Sequence, residues 1–120
     1  MSDRQSMQQG FFALVCIAEK FEEMASERFQ TLAEALLTTT TKLYQLVHES
    51  TDISNGDTIV HPKELKRAFQ RFENVLFCVN ELYFEIVCED LRIQPIWANL
   101  QDYYRLIRYV FVKNPNLLVD

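Results

Sequence analysis

Four glutamates crowd one predicted helix near the N-terminus, and clustered carboxylates on a helix are typical of di-iron helical bundles. These residues are Glu19, Glu22, Glu23 and Glu27. A di-iron bundle also needs a Glu-x-x-His pair on each of two helices. The chain has only His48 and His61, and neither histidine follows a glutamate at that spacing. We therefore interpret the glutamates as a solvated acidic face and expect no metal site.

Three cysteines, Cys16, Cys78 and Cys88, are the other side chains with metal-binding chemistry. Cys78 and Cys88 lie on one predicted helix, where their spacing separates them by about 280° around the axis. The sequence contains no Cys-x-x-Cys pair, which is the usual half of a structural zinc site. The odd number of cysteines and their helical context favour small buried thiols in a reducing compartment. No zinc site is expected.

Nucleophilic catalysis would require a base within reach of a thiol or hydroxyl group. Cys16 or a threonine of the run 38–41 could pair with His48. The sequence has neither a glycine-rich strand-to-helix turn nor a Walker-type phosphate loop to support such a site. We therefore predict a non-enzymatic protein with no cofactor and no small-molecule substrate.

The charge of the chain narrows the classes of partner. The formal net charge is −5 and the sequence pI is about 5.0, whereas nucleic-acid binding usually needs a basic patch that displaces counterions from phosphates. The main basic cluster lies on one predicted helix beside two glutamates: Lys63, Lys66, Arg67 and Arg71 with Glu64 and Glu73. Direct binding to nucleic acid is not expected.

The sequence also predicts a compartment. The apolar run 11–18 is followed at once by charged residues, which does not match a signal peptide. No segment approaches the ~20 apolar residues of a membrane-spanning helix. Together with the interpretation of the cysteines, this pattern predicts a cytosolic or nuclear protein that is neither secreted nor inserted in a membrane.

Two glycines and three prolines in 120 residues leave few turn signals, which favours long helices over a β-sandwich or barrel. The predicted elements are helix one at 7–50, a loop at 51–61, helix two at 62–89 and helix three at 95–113. Pro62 and Pro95 are placed at first helical positions, and Asn55-Gly56 marks the loop. The fold class is therefore all-α, an elongated helical hairpin plus a third apolar helix in one domain, 1–120.

The continuity of helix one depends on its threonine run, residues 38–41. Apolar residues recur along it at steps of three and four, as on one face of a helix. The run Thr38–Thr41 is the expected weak point, because β-branched residues lower helix propensity. Without a break, ~40 residues would extend about 60 Å, which exceeds the width of a compact domain of this size.

Residues 75–88 of helix two and residues 103–112 of helix three are apolar on nearly every side. Only two arginines interrupt the run from Tyr103 to Val112. A helix of this composition must be buried on several sides, and three or four helices offer too little cover. The sequence therefore predicts another protein subunit that packs against these helices. Six aromatic residues, of types enriched at interfaces, are the candidate partner contacts: Phe77, Phe84, Trp97, Tyr104, Tyr109 and Phe111.

Three segments of the sequence form a pattern that is similar to one known family. They are Leu43-Tyr44-Gln45-Leu46-Val47-His48-Glu49 before a loop with Asn55-Gly56, then Asn74, Leu76-Phe77 and a closing Cys88-Glu89-Asp90, then Gln94-Pro95-Ile96, Leu100 and Tyr103-Tyr104. The layout, over residues 27–104, resembles subunit 30 of the metazoan Mediator transcription co-activator. The apolar segment 106–112 stands where that family has a polar, coiled-coil-like helix.

The resemblance implies a function for the chain. It implies a nuclear, non-catalytic subunit of an assembly that bridges transcription factors and RNA polymerase II. The alternative hypothesis, which needs no resemblance, is a self-contained helical adaptor that holds a peptide helix in an apolar groove.

Overall fold

Helices make up nearly all of the described chain. The computed structural model describes residues 3–49 and 62–113. Its α-helices are α1 (Asp3–Met24), α2 (Gln30–Glu49), α3 (Pro62–Glu81), α4 (Tyr83–Glu89) and α5 (Ile93–Lys113), and a 3-10 turn spans Glu27–Phe29. Helical residues are 94% of the described part, which contains no strand, so the predicted all-α class is confirmed. The predicted loop at 51–61 lies outside the described residues.

The helices form an antiparallel bundle with one continuous apolar core. Helix α1 packs against both α2 and α5, and α3 packs against α2. The amide of Gln8 donates to the Val47 carbonyl at 3.5 Å, so α1 begins beside the end of α2. The molecule measures 47 × 23 × 21 Å. Its core contains the apolar face of every helix, including Phe11, Leu43, Phe72 and Ile107.

The single helix predicted over 7–50 is wrong, because the chain reverses direction at Ala25 and Ser26. The Ala25 amide still donates to the Phe21 carbonyl at 2.8 Å, whereas Ser26 is extended, with φ −69° and ψ 165°. Ser26 followed by Glu27 fits the residue preferences of a helix N-terminus. The reversal buries the apolar face of α1 against that of α2, and such packing supplies most helix stability in proteins.

The threonine run 38–41, the expected weak point, lies inside the unbroken α2. The Thr39 hydroxyl donates to the Ala35 carbonyl at 2.9 Å, and the fully buried Thr40 donates to the Leu36 carbonyl at the same distance. These bonds satisfy the hydroxyls within the helix itself. Packing of Thr40 in the core therefore outweighs its modest helix propensity.

The second and third predicted helices also have different bounds. Leu82, with φ −103° and ψ 7°, separates α3 from α4, although its amide still donates to the Cys78 carbonyl at 3.2 Å. Helix α5 begins at Ile93 rather than at Pro95. Proline is tolerated there because the first four amides of a helix have no intrahelical partner.

Two different kinds of contact determine how close α5 lies to α1 and to α3. A Cβ added to Gly10 would lie 2.9 Å from Cγ1 of Ile107, so α1 and α5 approach closely at this point. The face between α3 and α5 is instead filled by large rings. Phe69 packs edge-on against Phe111 with ring centroids 4.6 Å apart, and Phe72 lies 5.9 Å from Tyr104.

Candidate partner-binding surface

The two most exposed aromatic side chains of the described residues lie on α3 and α4. Phe84 is 84% exposed and Phe77 is 64% exposed. They are seven residues apart, or about two helical turns, so they lie on the same side of this part of the bundle. We call this pair the α3–α4 patch. Full exposure of a phenylalanine forgoes roughly 1.5–3 kcal/mol of burial free energy.

A second apolar surface lies on the outer side of α5. It consists of Tyr103, Leu106, Tyr109 and Val112, whose exposures rise from 38% to 70% between Tyr103 and Val112. The steps of three residues make each side chain a neighbour of the next along the helix surface. We call this group the α5 patch. An exposed apolar row of this kind is a candidate association surface.

The predicted partner contacts divide between these patches and the core. Phe77, Phe84 and Tyr109 are exposed, as a contact residue must be. Trp97 and Phe111 are buried, at 8% and 4% exposure, and this corrects their assignment as partner contacts. Because these two rings face inward on α5, a partner could not reach them without opening the bundle. Trp97 packs on Tyr83 of α4, with ring centroids 6.0 Å apart.

Tyr104 has a structural role between α3 and α5. Its Oη donates to Glu73 Oε2 at 2.5 Å, and Arg108 Nη1 donates to the same oxygen at 2.8 Å. Burial of the ring raises the pKa of the Tyr104 phenol, and the hydrogen bond to Glu73 and its negative charge raise it further. The half-buried ring also packs on Phe69. Tyr104 therefore links two helices of its own chain.

One end of the bundle is strongly acidic. It comprises the end of α1, the turn before α2, the end of α3, helix α4 and the connection from α4 to α5. Its acidic side chains are Glu19, Glu22, Glu23, Glu27, Glu81, Glu85, Glu89 and Asp90, against Lys20, Arg28 and Arg92. Arg28 pairs with Glu85 at 3.0 Å. Arg92 donates two side-chain hydrogen bonds to Asp90, and these lower the pKa of that carboxyl group. Phe84 therefore projects from an acidic surface.

The other half of the bundle carries most of the basic residues. These are Lys42, Lys63, Lys66, Arg67, Arg71, Arg105, Arg108 and Lys113, with Glu64, Glu73 and Asp102 among them. The side chains named for the acidic end and for this half therefore differ in the sign of their summed charge. Opposite surface potentials of this kind orient a charged partner as it approaches.

The cysteines are exposed, which corrects their prediction as buried thiols. Each follows a buried residue by two positions: Leu14 precedes Cys16, Leu76 precedes Cys78 and Ile86 precedes Cys88. Two positions correspond to about 200° around a helix, so the thiols lie on the outer side. Within 3–49 and 62–113, no three His, Cys, Asp or Glu side chains are grouped closely enough to hold a metal ion.

Sequence reasoning missed part of the exposed surface. Tyr103, Leu106 and Val112 were not separated from the core residues of α5, because the sequence is apolar on all sides there. A signal was present: a helix with Trp97, Leu100 and Ile107 on its inner side must direct Leu106 outward.

None of the described helices is long and apolar enough to cross a membrane.

Comparisons with family models, with curated proteins and with solved structures found no match to this chain.

Proposed function

We propose that this protein is a non-enzymatic helical subunit that binds another protein through the α3–α4 and α5 patches. The observation that carries the proposal is the exposure of Phe84 and Phe77 on a bundle in which each of the five helices already buries apolar side chains in a shared core. Side chains as exposed as these contribute little burial free energy to the fold of the chain that carries them. Buried aromatic anchors, in contrast, dominate the energetics of protein interfaces.

The surroundings of the α3–α4 patch suggest the chemistry of the partner. Glu81 and Glu85 flank Phe84 in the sequence, and both are exposed. An amphipathic helix with apolar residues on one side and Lys or Arg beside them would match this surface in shape and charge. Its basic residues would raise the association rate, and its apolar residues would supply most of the affinity.

At a finer level, we propose that the assembly is of the Mediator type, which places the protein in the nucleus. What supports this proposal is the resemblance carried by residues 43–49, 74–90 and 94–104. Most of those residues lie on α3, α4 and α5. The same helices carry the exposed patches, so the segments with the resemblance also hold the proposed contact surface.

The rival hypothesis is an adaptor with an apolar groove for a peptide helix. A groove does lie between α2 and α3. Carbon atoms form most of its surface, but six of its seven lining residues bear a polar or charged group: Thr38, Thr39, Lys42, Glu64, Arg67 and Arg71, beside Ala68. The apolar side of a peptide helix needs an apolar groove. We favour the subunit hypothesis because the two most exposed aromatic side chains among the described residues, Phe77 and Phe84, lie outside this groove.

The test is affinity purification of the tagged chain from a nuclear extract, followed by quantitative mass spectrometry. We expect a specific set of co-purifying proteins, including Mediator subunits, that falls at least about tenfold when Phe77 and Phe84 are both changed to Asp. The control is Gln70→Asp, which adds one of the two negative charges of the double variant at an exposed position of α3 two turns before Phe77. Circular dichroism checks that each variant is folded.

The outcomes separate the two levels of the proposal. Recovery of a set of partners without Mediator subunits would remove the finer proposal and leave the general one. Equal recovery by the parent, the double variant and the Gln70→Asp control would contradict binding through the α3–α4 patch.

A further inference from the structure

We infer that the groove between α2 and α3 is a binding site for a phosphate-bearing ligand. This inference concerns a different side of the bundle from the exposed patches and goes beyond the proposed function. It rests on three basic side chains that line one groove, on their lack of ion-pair partners, and on the position of the groove in the basic half of the molecule.

The groove has two walls that both supply positive charge. Lys42 lies on the α2 wall, whereas Arg67 and Arg71 lie one helical turn apart on the α3 wall. The volume is about 480 Å³, which falls within the 300–1,000 Å³ typical of sites for small organic ligands. A side chain from each wall can therefore contact the same bound molecule.

The three cations of the groove have no protein partner among residues 3–49 and 62–113. The ion pairs in this part of the chain use other arginines: Arg28, Arg92, Arg105 and Arg108. Glu64 also lines the groove, but it forms no ion pair with Arg67 or Arg71 there. A groove with three cations and one carboxylate has an excess of positive charge on a chain whose net charge is −5.

The donor groups in the groove suit a phosphate. A guanidinium group presents paired N–H donors that match two oxygens of a phosphate, and an ammonium adds a point charge. The Thr38 hydroxyl makes no hydrogen bond within the described residues and can donate to a ligand oxygen. The Thr39 hydroxyl hydrogen is already used, because it donates to the Ala35 carbonyl at 2.9 Å.

A compact dianion fits this arrangement better than a series of separate carboxylates. Phosphate monoesters place nearly two charges on one small group at neutral pH, and the net charge of the groove side chains is opposite and similar in size. The volume leaves space for an organic group beside the phosphate, where the Ala68 methyl group and the aliphatic stems of the arginines offer apolar contact.

The experiment measures binding of inorganic pyrophosphate by isothermal titration calorimetry at constant ionic strength. The variants are Arg67→Gln/Arg71→Gln and, separately, Lys42→Gln. The matched control is Lys66→Gln, which removes an exposed charge from α3 without altering a groove residue. We expect the double variant to bind at least about tenfold more weakly than the parent, since two charge-assisted contacts are lost. Lys42→Gln should weaken binding to a smaller extent, and Lys66→Gln should leave it unchanged.

Three results would overturn the inference. The first is the absence of measurable heat from millimolar pyrophosphate with the folded parent. The second is equal weakening by Lys66→Gln and by the groove variants, which would show a diffuse basic surface. The third is tighter binding of a pentaglutamate peptide than of pyrophosphate with the same dependence on Arg67 and Arg71, which would make the groove a site for acidic peptides.

Discussion

Gly10 determines how closely α1 and α5 approach, because it lies against the side chain of Ile107. A Cβ at this position would stand 2.9 Å from Cγ1 and 3.1 Å from Cδ1 of Ile107. Ile107 is fully buried, so it has little space into which it can move. The close packing of α1 on α5 therefore requires a glycine at position 10.

The variant Gly10→Val should therefore destabilise the bundle despite the low helix propensity of glycine. We expect a loss of about 2 kcal/mol in the free energy of unfolding, because overpacking displaces α5. Chemical denaturation followed by circular dichroism measures this loss. Gln9→Val, at the neighbouring exposed position, is the control and should change stability by less than about 0.7 kcal/mol. Equal effects of the two variants would show that α1 and α5 do not approach closely.

Tyr104 gives the stability of the protein a defined pH dependence. Its phenol pKa is raised in the folded state by burial and by Glu73, so the folded protein retains the proton to a higher pH than the unfolded chain. The stabilisation is complete below the ordinary tyrosine pKa of about 10 and is lost as the pH rises above that value. The contribution of Tyr104 to the free energy of unfolding should therefore fall only at alkaline pH.

We expect Tyr104→Phe to cost about 1 kcal/mol at neutral pH, because the hydrogen bond to Glu73 is lost. The difference between parent and variant should shrink above about pH 10. Denaturation of both proteins across that range measures it, with the exposed Tyr109→Phe as the control. A difference that stays constant at alkaline pH would contradict the proposed link between the Tyr104 proton and folding.

At the scale of elements, the sequence predicted which residues form helices better than where the helices end. The step of three and four residues identifies Leu14, Phe21, Leu36 and Phe72 as inward-facing, and all four are buried. The reversal at Ser26 was missed because no glycine or proline marks it. Its cause is the packing of α1 on α2, a tertiary contact that local propensity does not encode.

The candidate partner residues show the same limit. Sequence composition identified aromatic residues of the right type, but it could not separate Phe84, which is exposed, from Trp97 and Phe111, which are buried. All three lie on helices that are apolar on several sides, so periodicity alone leaves their direction open. The neighbouring helices decide which ring is covered, as Tyr83 does for Trp97.

This division predicts opposite effects for two aromatic truncations. Trp97→Ala should lower the free energy of unfolding by about 3 kcal/mol or more, because it empties part of the core between α4 and α5. Phe84→Ala should change it by less than about 0.5 kcal/mol. Urea denaturation compares the two variants. A large loss of stability in Phe84→Ala would show that its ring packs within the chain and would withdraw it from the partner surface.

At the scale of the whole molecule, the bundle presents three distinct surfaces. The α3–α4 patch projects from the acidic end, the α5 patch extends toward the basic half, and the groove between α2 and α3 lies on the basic half. Under the proposed function, charge separation along a 47 Å axis would orient a charged partner before contact, and the apolar patches would then supply the affinity.

The most direct test of this account is hydroxyl-radical footprinting of the free chain and of the chain recovered with its partners. Oxidation of exposed aromatic side chains, measured by mass spectrometry, reports which of them become covered. We predict strong protection of Phe77, Phe84 and Tyr109 in the assembly, with Phe12 on the outer side of α1, 55% exposed, as the internal reference that stays reactive. If Phe77, Phe84 and Tyr109 were oxidised as fast in the assembly as in the free chain, the partner would bind elsewhere and the central claim would be contradicted.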